Sequence, residues 1–328
     1  MHEPAPLRVS HFHEWGHVND SLLDCLFAEF AAHGARALST APVWSARLLR
    51  DPAFADLLAR TLDAHGLAMA DAHAPWGEAW DLDIEDPARR PRMIAGHRLC
   101  MAMLADLGVE TYTMHIGAGA NYTNGGVHTD AMQACALRTI EALLPEAEAH
   151  GLVIAIENIV EPSTTPAVVA SLVGSFNSPH LACCLDTGHA HVMDADAPRT
   201  IAQLQPYVRE GAWNHHVVLT PFAEAVRLLA PWIVTCHVHD NDATGDEHRL
   251  PGEGKIDWKR YLAALATCPR LRSIQNEWHP IGYGYPISQA CRCFDRLAAD
   301  LQAERLVAFH RSEGRNAQRP TPSVQRST

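Results

Sequence analysis

Residues 153–158 read VIAIEN and residues 181–189 read LACCLDTGH, so that in both stretches an apolar run ends in a carboxylate. Short, continuous apolar runs of this kind are typical of fully buried strands. A carboxylate at the end of such a run needs a partner if it points into the protein, because an isolated buried charge is costly. The two stretches therefore predict buried strands with charged chemistry at their carboxyl ends.

The same pattern extends along the chain, where short apolar runs alternate with longer Ala- and Leu-rich helical stretches. The predicted strands are Arg8–Phe12, Ala35–Ser39, Leu67–Ala72, Glu110–His115, Val153–Glu157, Leu181–Asp186, Ile233–His237 and Ser273–Glu277. The predicted helices are Leu22–Ala32, Ala53–His65, Arg89–Leu107, Ala131–His150, Pro166–Val173, Pro221–Leu229, Trp258–Ala266 and Ser288–Arg305. Strands that alternate with helices favour parallel βα units. Eight such units predict an α/β fold, a (β/α)₈ TIM barrel over residues 1–309.

Glycines mark the ends of several predicted helices, because glycine accepts the left-handed conformation that terminates a helix. The tripeptide Ala-His-Gly occurs three times in this position and is interpreted as a helix end, which leaves its histidines out of any active site. These histidines are His33, His65 and His150.

The main alternative fold is a doubly wound open sheet, which usually carries a glycine-rich turn after its first strand. Here that stretch reads HFHEWGH (11–17) and contains no phosphate-binding loop. The last stretch, 310–328, is polar, contains proline and has no periodicity. We predict that it is a disordered tail.

Charge and composition indicate which classes of binding partner are unfavourable for this chain. The formal net charge is −12 and there are two lysines, Lys255 and Lys259. This balance disfavours binding to nucleic acid. We find neither a membrane-length apolar run nor a secretion signal, so a cytoplasmic protein is expected. Nine scattered cysteines without a C-x-x-C pair indicate buried thiols rather than disulfides or a thiolate metal site.

Six consecutive predicted strands finish in a potential metal ligand. The residues at these strand ends are His73, His115, Glu157, Asp186 with His189, His237 with His239, and Glu277. Because the active site of a TIM barrel lies at the carboxyl ends of its strands, these side chains are expected to converge. A set of oxygen and nitrogen donors without sulfur suits Mn²⁺, Mg²⁺, Co²⁺ or Zn²⁺. We therefore predict a divalent-metal site and no organic cofactor.

The segment that follows the seventh strand reads GDEHRLPGEGKIDW (245–258) and offers two further donors. Asp246 and His248 are two residues apart, so both can face the same way in an extended loop. Beside a metal site they are candidates for contact with metal or substrate.

At these residues the chain resembles the xylose-isomerase-like TIM barrels, which include sugar isomerases and epimerases, inosose dehydratase and endonuclease-IV-type enzymes. The motifs that carry the resemblance are IEN, LDTGH, the HVHDN…D-H…PGEG-ID segment and the glutamate of the last strand. The resemblance implies a mononuclear site of Glu157, Asp186, His237 and Glu277, with both glutamates moving the proton and with His189 contacting substrate.

The endonucleases of this group have a three-zinc cluster, and the resemblance assigns its extra ligands to His73, His115, His189, Asp246 and His248. Both the mononuclear and the multinuclear site stay open at this point. In ketohexose epimerases a substrate-binding arginine follows the strand-seven histidine, whereas here the nearest candidate is Arg249, at a different offset.

The preferred function is a metal-dependent isomerase or epimerase that acts on a small carbohydrate through an enediolate, with Glu157 and Glu277 as the catalytic acid and base. The alternatives are multinuclear hydrolysis of a phosphoester and a dehydratase-like lyase reaction. Trp15, Trp76 and Trp278 are candidates for packing against a sugar or for capping the core, and His13 and Glu14 for hydroxyl contacts. Barrels of the group that the chain resembles often pair through their mouths, so a homo-oligomer is one possibility and the oligomeric state stays open.

Overall fold

In a computed structural model that describes residues 3–117 and 129–317, eight parallel strands pair in chain order and the first closes the ring on the last. The strands, named β1 to β8, are Arg8–His11, Ala37–Thr40, Ala68–His73, Thr111–Met114, Val153–Glu157, Leu181–Asp186, Ile233–Val238 and Ser273–Asn276. The closed parallel ring confirms the predicted (β/α)₈ barrel. Parallel pairing also brings the carboxyl ends of all eight strands to one mouth of the barrel.

The helices pack around this ring, and each predicted helix has a counterpart. In chain order, α1 to α11 are Leu23–Ala32, Pro42–Leu48, Ala53–His65, Arg90–Asp106, Thr129–Ala149, Pro166–Gly174, Thr187–Val192, Phe222–Leu229, Trp258–Leu265, Pro280–Tyr283 and Ile287–Ala317. The short helices α2, α7 and α10 were not predicted from the sequence. They have four to seven residues, which is too short for a helical periodicity to be recognised.

The glycines that were predicted to end helices have positive φ angles, which supports the interpretation of the Ala-His-Gly tripeptides. Gly34, Gly66 and Gly151 have φ values of 92°, 62° and 67°. In α3 the backbone N–H of Gly66 returns to the carbonyl of Asp63, as expected at a left-handed helix end.

The last helix differs from the sequence prediction at its carboxyl end. Helix α11 extends to Ala317 and so includes 310–317, the first part of the predicted tail. The rest of that tail, 318–328, lies outside the described residues, and the domain boundary at 309 stays a prediction.

The main hydrophobic core fills the space between the strands and the helices, with fully buried side chains such as Phe27, Leu58, Ile140 and Phe294. Within the described residues every cysteine is a free thiol, and most are buried. None of the described helices combines the length and apolar composition needed to cross a membrane. The fold thus provides a rigid support for side chains at its mouth.

One irregular segment lies at the side of this mouth, between α7 and α8. It contains a π-helical turn at Tyr207–Ala212, and π-turns are often found at functional sites. The N–H of Gln205 donates to the carbonyl of Thr244, which ties this segment to the loop after β7.

Candidate metal centre

Four acidic and histidine side chains meet at the carboxyl ends of β5 to β8. The Nδ1 atom of His237 is 2.9 Å from Glu157 Oε1 and 3.0 Å from Glu277 Oε2. Asp186 completes the group, and one potential ligand atom from each of the four lies within 4.8 Å of the others. We call Glu157, Asp186, His237 and Glu277 the central group. These are the four residues that the resemblance implied for a mononuclear site.

Two further histidines extend the cluster on the side of β3 and β4. His73 Nε2 and His115 Nε2 lie 3.2 Å apart. Each also approaches Glu157 Oε2, at 3.3 Å and 3.1 Å respectively. The three donor atoms therefore form a nearly equilateral triangle, with sides of 3.1–3.3 Å.

The cluster continues on the opposite side, where Asp246 lies between two histidines. Its Oδ2 atom is 2.9 Å from His248 Nε2 and 3.3 Å from His189 Nε2. His189 also approaches Asp186 Oδ1, at 3.4 Å. The four residues predicted as metal ligands and the five predicted as additional contacts to metal or substrate thus form one continuous network.

The loop that carries Asp246 and His248 is fixed by the buried carboxylate of Asp240. Asp240 accepts hydrogen bonds from the backbone N–H groups of Asn241, Gly252 and Ile256 and from the indole of Trp258. The PGEG turn packs its backbone directly against this carboxylate, and a Cβ atom on Gly254 would lie 2.2 Å from Asp240 Oδ1. The sequence motif therefore encodes a tightly closed loop.

Electrostatics link the carboxylates to the imidazoles. Burial alone would raise the pKa of Glu157, but the charge of His237 and hydrogen bonds from neighbouring histidines hold this pKa well below its usual range. Asp246 is shifted in the same direction, where burial is opposed by His248 and His189. Burial would lower the pKa of His248, but Asp246 raises it to about 9. The neighbouring imidazoles thus favour the ionised forms of Glu157 and Asp246.

The donor atoms fit a divalent cation in kind and in spacing. With metal–ligand distances of about 2.0–2.2 Å, neighbouring donors on one ion lie roughly 3.0–3.4 Å apart, which matches the separations around His237 and in the triangle of His73, His115 and Glu157. Among the described residues, Glu277 Oε2 and Asp246 Oδ1 are buried and have no hydrogen-bond partner. A cation is the partner that would satisfy both oxygens.

The cluster forms the floor of a cavity of about 630 Å³, a size typical of small-molecule sites. The cavity is lined by side chains of the cluster together with Trp76, Tyr207 and Phe12. Trp76 is half exposed, and its ring centroid lies 5.7 Å from that of His115. Of the three predicted aromatic contacts, Trp76 alone is in a position to pack against a bound sugar.

The other predicted substrate contacts require correction. Trp15 and Trp278 are 1% and 0% exposed and therefore cap the core, with Trp15 stacked on Trp44. The guanidinium of Arg249 is bound to the Glu247 carboxylate and to the Glu253 carbonyl, away from the cavity.

His13 and Glu14 also do not line the cavity. His13 is buried against the ring of Trp15, and burial lowers its pKa to about 4. Glu14 accepts a hydrogen bond from the backbone N–H of Ile281. Both residues therefore help to pack the top of β1 rather than contact a ligand in the cavity.

Two residues of the site were not among the predicted contacts. Tyr207 lies in the π-helical turn, lines the cavity and accepts a hydrogen bond from the N–H of Asp246 at 2.6 Å. Its segment has no strand or helix periodicity, so no pattern in the sequence indicated that Tyr207 lies at the site. Asp240 was visible in the HVHDN motif, but its role depends on the closure of the loop, which the motif alone does not reveal.

His65→Ala is expected to leave kcat and KM unchanged, because His65 lies at the end of α3, where the chain enters the opposite face of the barrel. Its Nε2 atom pairs with Asp24 Oδ1 at 2.8 Å. Steady-state kinetics beside His237→Ala, which should lose activity, provide the comparison. A large fall in kcat for His65→Ala would contradict the interpretation of the Ala-His-Gly helix ends.

Comparisons with solved structures reveal the same architecture in several sugar epimerases. An L-ribulose 3-epimerase matches with a TM-score of 0.68 and 16% identity over 97% of this chain and 100% of the other. A D-tagatose 3-epimerase-like protein matches with a TM-score of 0.68 and 17% identity over 92% and 100%. The zinc-bound IolI protein matches with a TM-score of 0.63 and 17% identity over 92% and 99%. At these identities the likeness is one of fold.

The sequence itself was also compared with known families. No curated protein sequence matches the chain. The family of xylose isomerase-like TIM barrels matches residues 27–268, which include eight of the nine residues of the network, all except Glu277. Together with the closed eight-stranded ring, this match shows that the chain belongs to the xylose isomerase-like TIM barrel family.

Proposed function

We propose that this protein is a divalent-metal-dependent isomerase or epimerase of a small carbohydrate. The observation that carries the proposal is the pair of carboxylates, Glu157 and Glu277, that approach the same nitrogen of His237 on the floor of the cavity. A reaction that removes a proton from one face of a carbon and returns one to the opposite face uses two such groups around one substrate. The volume of the cavity fits a sugar-sized ligand.

The residues of the central group would hold the cation, which when bound supplies Lewis-acid polarisation of the substrate oxygens. One glutamate accepts the proton from the C–H bond next to the substrate carbonyl, which leaves an enediolate. For epimerisation the second glutamate, which enters the cycle protonated, delivers its proton to the opposite face of the same carbon. For isomerisation the proton goes instead to the former carbonyl carbon, and the hydroxyl proton of the first carbon passes to the former carbonyl oxygen, so that the first carbon becomes the new carbonyl. Trp76 packs against an apolar face of the sugar.

The names of the structural neighbours support a carbohydrate substrate. They include 3-epimerases of L-ribulose and D-psicose and an E. coli 3-keto-D-glucoside 4-epimerase. The arginine expected for a ketohexose epimerase is not supplied by Arg249, whose side chain is engaged outside the cavity. We therefore propose a small carbohydrate without assigning a particular ketohexose.

The experiment that tests this function is solvent-deuterium exchange on a panel of ketoses and inososes, followed by NMR. The expected result is incorporation of deuterium at a carbon next to the carbonyl, with formation of an epimer or isomer. This readout detects proton abstraction even where the product is a minor component at equilibrium. Absence of exchange with every sugar of the panel would argue against the proposal.

A second candidate is multinuclear hydrolysis of a phosphoester. The observation that favours it is the triangle of His73, His115 and Glu157, because a mononuclear site does not require these two histidines. Two or three ions can activate water and stabilise a leaving oxygen. Two or three zinc ions per chain, together with turnover of a phosphodiester, would support this candidate. The net charge of −12 makes duplex DNA an unfavourable substrate.

Removal of metal is expected to abolish activity and to lower the melting temperature. Loss of the cation leaves the carboxylates of the cluster compensated by protonated imidazoles alone. A ligand that binds only the native state, at a free concentration 100 times its Kd, raises the free energy of unfolding by about 2.7 kcal/mol. Dialysis against a chelator, followed by addition of Mn²⁺, Mg²⁺, Co²⁺ or Zn²⁺ singly, should restore both properties. Full turnover by metal-free protein would contradict the proposal.

A further inference from the structure

His239 is completely buried beside the central group, although the family resemblance assigns it no role. Its Nε2 atom lies 3.1 Å from Asp186 Oδ2 and 3.6 Å from Asp246 Oδ1. These two carboxylates belong to different parts of the network, one at the end of β6 and the other in the loop after β7. A single nitrogen of His239 thus approaches both carboxylates.

The His239 ring occupies space that a side chain at position 188 would need, and residue 188 is a glycine. A Cβ atom on Gly188 would lie 2.0 Å from Cε1 of His239. Gly188 lies in α7 and is not among the glycines with positive φ, so backbone conformation does not explain the glycine. The ring of His239 does, because the helix passes directly over it.

Packing alone does not account for a histidine at this position. Within the described part of the chain, Nδ1 of His239 has no hydrogen-bond partner, and a buried unpaired nitrogen costs about 1–3 kcal/mol. The ring is stacked on that of His248 with a centroid distance of 4.0 Å, which fixes the direction of Nε2. The molecule therefore holds the ring rigidly, with Nε2 directed at two carboxylates.

We propose that His239 is a metal ligand which, with Asp186 and Asp246, forms a second cation site beside the central group. The separations of 3.1 Å and 3.6 Å are close to the roughly 3.0–3.4 Å expected for neighbouring donors on one ion. His248 and His189 each lie with His239 in a set of donors spaced for one ion. Two carboxylates and imidazole nitrogens suit Zn²⁺ or Co²⁺.

This site extends the proposed function, because Asp186 would be shared by the two cations. A different role for His239 is to donate a hydrogen bond to Asp186 and so to orient a ligand of the central group. A His239→Gln substitution separates the two roles, because glutamine can replace histidine as a hydrogen-bond donor but not as a metal ligand. A glutamine side chain can donate to Asp186 through its amide, but it is a poor ligand for Zn²⁺ or Co²⁺.

The test measures metal content and does not depend on any substrate. Wild type, His239→Gln and His191→Gln are dialysed against Zn²⁺ and, separately, Co²⁺, and bound metal is measured by mass spectrometry together with the Co²⁺ absorption spectrum. His191 is a matched control, since it is buried in the same helix as Gly188 but bonds to Asn241. We expect His239→Gln to lose one metal equivalent per chain, together with the Co²⁺ absorbance of that site. His191→Gln should lose neither.

A second variant changes no ligand atom. Gly188→Ala should displace the His239 ring and lose the same metal equivalent, while Gly188→Ala combined with His239→Ala should regain folding stability but not the metal. Wild-type metal content in both His239→Gln and Gly188→Ala would overturn the proposal, as would a wild-type chain that binds a single ion. Failure of the sugar assays would leave these metal counts unchanged, so the two proposals fail separately.

Discussion

Glu277→Gln is expected to lower kcat by roughly 10³-fold, which is within the range that a positioned acid or base contributes. The substitution preserves the shape of the side chain, but an amide cannot accept the proton that a carboxylate accepts. Glu277 Oε2 is buried and lies 3.0 Å from His237 Nδ1, whereas the Glu157 carboxylate is approached by nitrogens of four histidines. We therefore propose Glu277 rather than Glu157 as the base that first accepts the proton.

Comparison with two other variants makes this prediction specific. Glu157→Gln should lose activity and also metal, because the Glu157 carboxylate lies within 3.7 Å of nitrogens from His73, His115, His189 and His237. Glu253→Gln is the control, since Glu253 is exposed in the PGEG turn. The measurements are kcat, KM and metal per chain. A Glu277→Gln protein with near wild-type kcat would disprove the two-glutamate mechanism.

The positions of the proposed ligands could be predicted because a barrel constrains them so strongly. Once strands are recognised from apolar runs, the residue that ends each run must lie at the same mouth. Glu157 and Asp186 end β5 and β6 as expected, and Glu277 follows directly after β8. The chemistry of the donor set then follows from residue type alone.

Residues whose roles depend on loop closure or on side-chain direction could not be predicted in the same way. The sequence does not distinguish a tryptophan near the end of a strand that faces the cavity from one that faces the core. Trp76 faces the cavity, whereas Trp15 and Trp278 face the core. Arg249 is adjacent to His248 in sequence, but its backbone pairs with Asp240 in an antiparallel bridge. In this position its side chain reaches Glu247 rather than the cavity.

The proposed role of His239 also could not be predicted from the sequence. The sequence marks it as a histidine at a strand end, two residues beyond His237. Its importance depends on the distance to Asp186 and on the missing side chain of Gly188, and both are properties of the folded molecule. A glycine in LDTGH would otherwise be interpreted as a turn residue rather than as space for an imidazole.

Asp240→Ala is expected to decrease the free energy of unfolding by at least about 3 kcal/mol, since hydrogen bonds to a charged group contribute about 1.5–3 kcal/mol each and are not additive. Removal of the carboxylate leaves three backbone N–H groups and the indole of Trp258 without their acceptor. Asp240 is completely buried, so water cannot replace the lost acceptor without opening the loop. Denaturant unfolding of the metal-free protein measures this effect without a contribution from bound ions.

The same substitution should also lower metal content, because the loop closed by Asp240 carries Asp246 and His248. Asp242→Ala is the matched control in this loop. The Asp242 carboxylate is partly buried, and its hydrogen bonds within the described residues are local, from the N–H and hydroxyl of Thr244, so a loss of about 1 kcal/mol or less is expected. Equal destabilisation by the two alanine variants would show that Asp240 does not fix the loop. A strongly destabilised Asp240→Ala protein with full metal content would show instead that Asp246 and His248 are held independently of the PGEG turn.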